Sequence, residues 1–176
     1  FPNVGVDRLA ALEPFRHATP WSSSLQGKRV LVIHPFAKSI QSQYETARDH
    51  IFEDRNVLPD FSLSTLIPFM EGIREPDSGL DLIEQFDVLR SELNSHPSDV
   101  VIIGAGPLGF LLAAEAKRIG RVAIHLGGAT QLLFGITGKR WEEVQDFGFQ
   151  NDYWVRPSRE ETPSEFRAAY DQGAYW

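Results

Sequence analysis

The chain has 176 residues, 42% hydrophobic and 23% charged, the profile of an ordinary globular protein with one real core. Its net charge of -7 argues against coating nucleic acid, although a local basic cluster still suits a phosphate. No cysteine is present, which excludes disulfides, Cys-ligated zinc and a thiol nucleophile.

No apolar run reaches the ~18 residues needed to span a bilayer, and the start carries no basic segment followed by an apolar run. The expectations are therefore no membrane span and a cytoplasmic location. The chain opens on Phe1 and is expected to be the C-terminal part of a longer protein.

Residues 1–28 carry Pro2, Pro14, Pro20 and Gly27 without a sustained period, and read as a lead-in segment. One helical turn is expected near Asp7–Leu12, with Phe15 and Trp21 pinned onto the core. A single α/β domain is expected over 29–176. Arg29–His34 (RVLVIH) is a β-branched apolar run, the pattern of a strand buried on both faces. Ile40, Tyr44, Ala47 and Ile51 follow at helical spacing, with Ser39 as the expected N-cap.

Phe61–Ile67 alternates as a half-exposed strand does. Leu82, Phe86, Leu89 and Leu93 mark a second amphipathic helix, and Val100–Ile103 a third strand. The helix after Gly106 is apolar nearly all round and is expected to be buried on more than one side. Arg121–Leu126 is the fourth strand. Thr162, Pro163 and Glu165 signal a last short helix over about Pro163–Tyr170.

Strand–helix alternation of this kind predicts an α/β fold: a Rossmann-like three-layer sandwich with a mainly parallel sheet of four or more strands. Right-handed crossovers place every strand's carboxyl end on one edge, where ligands bind. Gly104-Ala105-Gly106-Pro107-Leu108-Gly109 matches G-x-G-x-x-G between a strand and a helix. Gly104, Gly106 and Gly109 suit a phosphate at the helix N-terminus. A dinucleotide site also needs an acid about 20 residues on, and Ile124-His125-Leu126 offers none. The competing reading is a structural tight turn.

Gly127, Gly128, Thr130 and Gln131 form a second candidate anion cradle, with Gln131 suited to a base or sugar. The alternative is a plain strand-to-helix turn with Gly135 as its C-cap. Lys139 and Arg140 suit a diphosphate and Trp141 suits stacking on a ring, although a solvated surface loop reads the same way. His34, Lys38 and Ser39 flank the first strand's end, and His125 holds the equivalent place on the fourth. Either histidine suits a general base, and Lys38 suits a phosphate. No D-x-D or D-x-E stands at a strand end, and neither H-x-x-x-H nor H-E-x-x-H occurs, so no metal and no resident cofactor are expected.

The pieces HPFAKSIQSQYE, DVVIIGAGPLGFLLAAEAKRIGRVAIHLGGATQLLFGITGKRW, YWVRPS and GAYW resemble the C-terminal region of uncharacterised polysaccharide-biosynthesis proteins. Those are distantly similar to the GT-D-type glycosyltransferases. The resemblance covers about 27–176 and implies a Rossmann-like domain that binds a nucleoside-diphosphate sugar and transfers the sugar to a glycan acceptor. On that implication the pyrophosphate lies at the two glycine turns. Lys38, Lys139 and Arg140 replace a metal, and His34 or His125 activates or orients the acceptor.

GT-D enzymes carry an acidic D-x-E motif after the strand matching Arg121–Leu126, where this chain reads His125-Leu126-Gly127-Gly128. The relatives' R-F-G-D-G-E-like segment has no counterpart in this sequence. A non-catalytic nucleotide- or sugar-binding accessory domain is the alternative expectation, and an NAD(P)-binding oxidoreductase the third. The aromatic residues after Phe147 also suit a partner surface, a second copy included.

Overall fold

A computed structural model describes residues 8–70, 72–76, 79–142, 148–162 and 173–176. It is an α/β sandwich around a four-stranded, all-parallel sheet. The strands are β1 (Arg29–Ile33), β2 (Ser62–Leu66), β3 (Val100–Ile103) and β4 (Val122–His125), in the spatial order β2-β1-β3-β4. The helices are α1 (Ala37–Ile51), α2 (Leu82–Ser95), α3 (Gly109–Arg118) and two single turns, α4 (Thr130–Leu133) and α5 (Lys139–Glu142). Among the described residues no helix is long and apolar enough to cross a membrane.

The apolar runs explain the layers. In β1 and β3 both faces are buried, because successive side chains point to opposite sides of the sheet. Val30, Val32, Val100 and Ile102 join α1 and α4 in one core. Leu31, Ile33, Val101 and Ile103 join α2 and α3 in the other. The lead-in is part of the first core: Phe15 stacks on Phe52 at 5.6 Å, and Leu25 is fully buried. Its short 3-10 turns include Leu9–Leu12, the helical turn expected there.

Two local expectations are corrected. Ser39 is not an N-cap: α1 starts two residues earlier, at Ala37, and Ser39 sits in its first turn. The cap arrives from the far end of the chain. The buried Glu161 carboxylate accepts the Lys38 N–H at 2.7 Å and the Ser39 N–H at 3.2 Å, and also takes the Ser39 hydroxyl. It thus satisfies backbone donors that a helix start leaves open. Nor is α3 buried on several sides. Leu112, Glu115 and Ala116 are buried, but Phe110 is 77% and Leu111 48% exposed, because α3 lies over the β3–β4 edge of the sheet. The helix expected over Pro163–Tyr170 falls outside the described residues.

The β1–β3 register is level at the carboxyl end, Ile33 opposite Ile103, and β4 continues it with His125 opposite Ile103. The chain leaves β1 toward β2 on one side and later crosses to β3 on the other. The β1/β3 boundary is therefore a topological switch point, where diverging loops open a crevice.

Replacing Glu161 with Ala leaves buried backbone donors at the start of α1 without an acceptor. The expected loss is about 1–3 kcal/mol of unfolding free energy, read from denaturant titrations.

Candidate ligand-binding site

A cleft of about 400 Å³ opens at this switch point, within the ~300–1,000 Å³ typical of small-molecule sites. Its floor is the switch point itself, with His34 from the end of β1 and Gly104–Pro107 from the end of β3. His125, Gly127, Gly128 and Gln131 supply the β4 side. Phe36, Phe69, Tyr175 and Trp176 supply aromatic walls. Both glycine turns and both histidines thus meet in one cavity.

The glycines are there for close approach. A Cβ on Gly104 would lie 2.5 Å from His34 Cδ2, 2.6 Å from the Gly127 carbonyl oxygen and 2.9 Å from Thr130 Oγ1. One on Gly109 would lie 2.3 Å from His125 Nε2, and one on Gly128 2.2 Å from Tyr175 Cε1. Gly106 and Gly127 have positive φ, +51° and +59°, which lets each strand turn sharply into the next helical segment. Gly135, at φ +66°, follows α4 as expected of a residue ending that turn.

His34 is buried and its Nδ1 accepts the Phe36 N–H at 3.0 Å. That bond places the ring proton on Nε2, so at neutral pH His34 is a donor rather than a base. Burial pushes its pKa down to about 3. His125 is half-buried, with its ring edge-on to Phe110 at 5.1 Å. Its pKa is also lowered by burial, and its Nε2 has no hydrogen-bond partner among the described residues.

Gln131 and Thr130 are fully buried. The Gln131 Nε2 donates to the carbonyls of Tyr175 at 3.1 Å, Ile136 at 3.3 Å and Thr137 at 3.4 Å, while its Oε1 and the Thr130 hydroxyl have no partner among the described residues. Thr130 and Gly109 support the cleft from behind rather than lining it.

The expected cations are placed differently. Lys38 is turned into a separate surface groove with Gln41, Glu45 and Thr65, and is paired with Glu160. Ser39 is held by Glu161 and donates nothing to the cleft. Lys38 leaves the first turn of α1 on the side of Thr65 and Ile67 rather than toward the cleft. Lys139 and Arg140 begin α5, whose backbone N–H groups bond the carbonyls of Trp176 at 3.0 Å and Ala174 at 2.9 Å. Arg140 donates to the Tyr175 hydroxyl at 3.2 Å, which puts it at the rim. Trp141 packs edge-on to Tyr175 at 5.7 Å and does not line the cavity.

Among the described residues, then, the wall carries no Lys, Arg, Asp or Glu. No group of three or more His, Asp or Glu that could hold a metal stands together among them either.

Sequence reasoning missed the aromatic walls. Phe69 follows the β2 end and Pro68, a position at the ligand edge of the sheet. Tyr175 and Trp176 belong to the closing GAYW, and Trp176 is anchored by its Nε1–H donating to the Glu161 carbonyl at 2.7 Å.

Acidification tests the state of His34. The unfolded chain binds a proton near the ordinary value of 6.5, whereas the folded chain takes it up only near pH 3, so stability falls as pH drops through that window. Between pH 6.5 and 4.5, His34→Asn, which retains an acceptor for the Phe36 N–H, is expected to flatten the stability–pH slope by about 1 kcal/mol per pH unit. Denaturant midpoints against pH read this. Gly109→Ala, at a helical position that accepts alanine, is expected to fold and to force the His125 ring outward. Proton NMR then finds the His125 pKa moved back toward its ordinary value.

Comparison with protein-family models, with curated proteins and with solved structures finds no match.

Proposed function

We propose that this chain is a GT-D-like glycosyltransferase domain that binds a nucleoside-diphosphate sugar in the switch-point cleft and transfers the sugar to a glycan acceptor. The observation that carries the reading is the convergence of both glycine turns and both histidines on one cavity at the β1/β3 boundary. The resemblance of the Asp99–Trp141 stretch to polysaccharide-biosynthesis proteins supplies the reaction class.

In this reading the diphosphate lies against the Gly104–Pro107 turn, at the amino end of the helical segment that leads into α3, where the helix dipole favours negative charge. Arg140, behind the Tyr175 hydroxyl, is placed to approach the diphosphate as it leaves. His125 is the base. Its ring, which lines the cleft, accepts the proton of the acceptor hydroxyl as that oxygen bonds to the anomeric carbon, and the bond from that carbon to the diphosphate breaks with its electrons on the leaving oxygen. His34, a fixed Nε2–H donor, orients rather than deprotonates.

The second reading is a non-catalytic nucleotide-sugar-binding module. It is favoured by a cleft wall with no carboxylate among the described residues. A nicotinamide reading has less: His125, not an acid, ends β4.

Calorimetric titration with UDP-, GDP-, CMP- and dTDP-sugars is the test. Micromolar-to-millimolar binding of at least one donor is expected, with slow release of the nucleoside diphosphate that His125→Ala abolishes. Binding without turnover selects the module, and no binding to any donor overturns both readings.

A further inference from the structure

The cleft contains a neutral polar pair. Gln131 is fully buried in its wall, and its amide nitrogen is held by three backbone carbonyls, those of Ile136, Thr137 and Tyr175. This removes the freedom to flip, because a flipped amide would set its oxygen against three acceptors. The carbonyl prong Oε1 is thereby fixed on the other branch of the fork, where it has no partner among the described residues. A buried acceptor left open in this way is unfavourable unless something fills it.

His34 complements it. The Phe36 N–H on Nδ1 leaves Nε2–H as a donor of fixed identity. Both line the same cavity, His34 from the end of β1 and Gln131 from α4. Phe36, Phe69 and Tyr175 give the cavity flat apolar faces.

We infer that Gln131 and His34 form the site that reads the nucleobase, with Gln131 Oε1 accepting a ring or exocyclic N–H and His34 Nε2 donating to the adjacent base acceptor. This rests on the nucleotide-sugar reading and adds an orientation to it: base against Gln131 and the aromatic walls, diphosphate toward α3. A planar ring with one donor beside one acceptor on its edge satisfies the pair without bringing in a charge. A sugar suits the wall less well. Its many hydroxyl donors call for several acceptors, and no carboxylate lines the cleft among the described residues. Base–aromatic stacking accounts for the apolar walls at the same time.

The test uses the full chain and phosphate-free probes: uridine, cytidine, guanosine and adenosine, each beside its analogue with every edge N–H replaced by N-methyl (both hydrogens of an exocyclic amine), and free glucose, galactose and mannose. Inorganic pyrophosphate is titrated in parallel. At least one nucleoside is expected to bind, and methylating its edge N–H to weaken it roughly tenfold or more, because Oε1 is again left unfilled. Gln131→Met is expected to give the same loss for the nucleoside while leaving pyrophosphate binding within twofold. Should that variant fail to fold, the methylated probes, which need no mutation, decide alone.

Equal affinity for a nucleoside and its methylated analogue overturns the inference, and so does monosaccharide binding without nucleoside binding. In either case, binding of a nucleotide sugar by the unmodified chain leaves the broader proposal standing. If no nucleoside and no nucleotide sugar binds, both fall together.

Discussion

Gly104 is the point on which the site depends. It ends β3 between His34, which ends β1, and the Gly127–Thr130 turn, which leaves β4, and a Cβ there would meet all three within 3 Å. Parallel strands at a normal spacing bring their ends side by side, but they do not bring the outgoing loops into contact. Here the absence of one side chain does so. It lets an imidazole from β1 and a carbonyl and hydroxyl from the β4 turn close over the end of β3. The cavity forms above this junction, and its lining follows from what the junction gathers.

A polar floor with no ionised side chain is one consequence. His34 is held neutral by burial and given its tautomer by a backbone N–H. Gln131 is locked by three carbonyls. Lys38 pairs with Glu160, Arg156 pairs with Glu142 and donates to the Trp176 carbonyl at 2.7 Å, and Arg140 at the rim donates to the Tyr175 hydroxyl. Glu161 joins these parts, since it caps α1 with its carboxylate and holds the Trp176 indole with its carbonyl. The segment that walls the cleft is thus tied to the helix that follows β1.

Much of the architecture was legible because local patterning reports burial. The β-branched runs at Arg29 and Val100 are buried on both faces, as continuous apolar strands are. The shared edge for the two glycine turns followed from handedness alone. Strand order did not, since nothing in a strand's own residues says which neighbour it takes. The switch point, which locates the cleft, was therefore invisible.

Ser39 has the local pattern of a cap, but its competitor for that role, Glu161, lies far along the chain. Lys38 was misplaced for a related reason: standing near a strand end in sequence does not determine on which side of the helix a long side chain leaves. The apolar surroundings of Phe110 and Leu111 suggested burial, but no described element packs over that side of α3. Asp81, which closes a capping box with Glu84 at the start of α2, shows the opposite case, a local D-x-x-E signal available in the sequence and overlooked.

The central claim is that one cleft, at the β1/β3 boundary, receives the ligand. Amide chemical-shift mapping of the isotope-labelled chain during titration with the nucleotide sugar that binds tests it directly. The account predicts that the largest changes cluster at Gly104–Gly109, Gly127–Gln131 and Tyr175. Changes centred instead on the groove formed by Lys38, Gln41, Glu45 and Thr65, with the glycine turns unmoved, would contradict it.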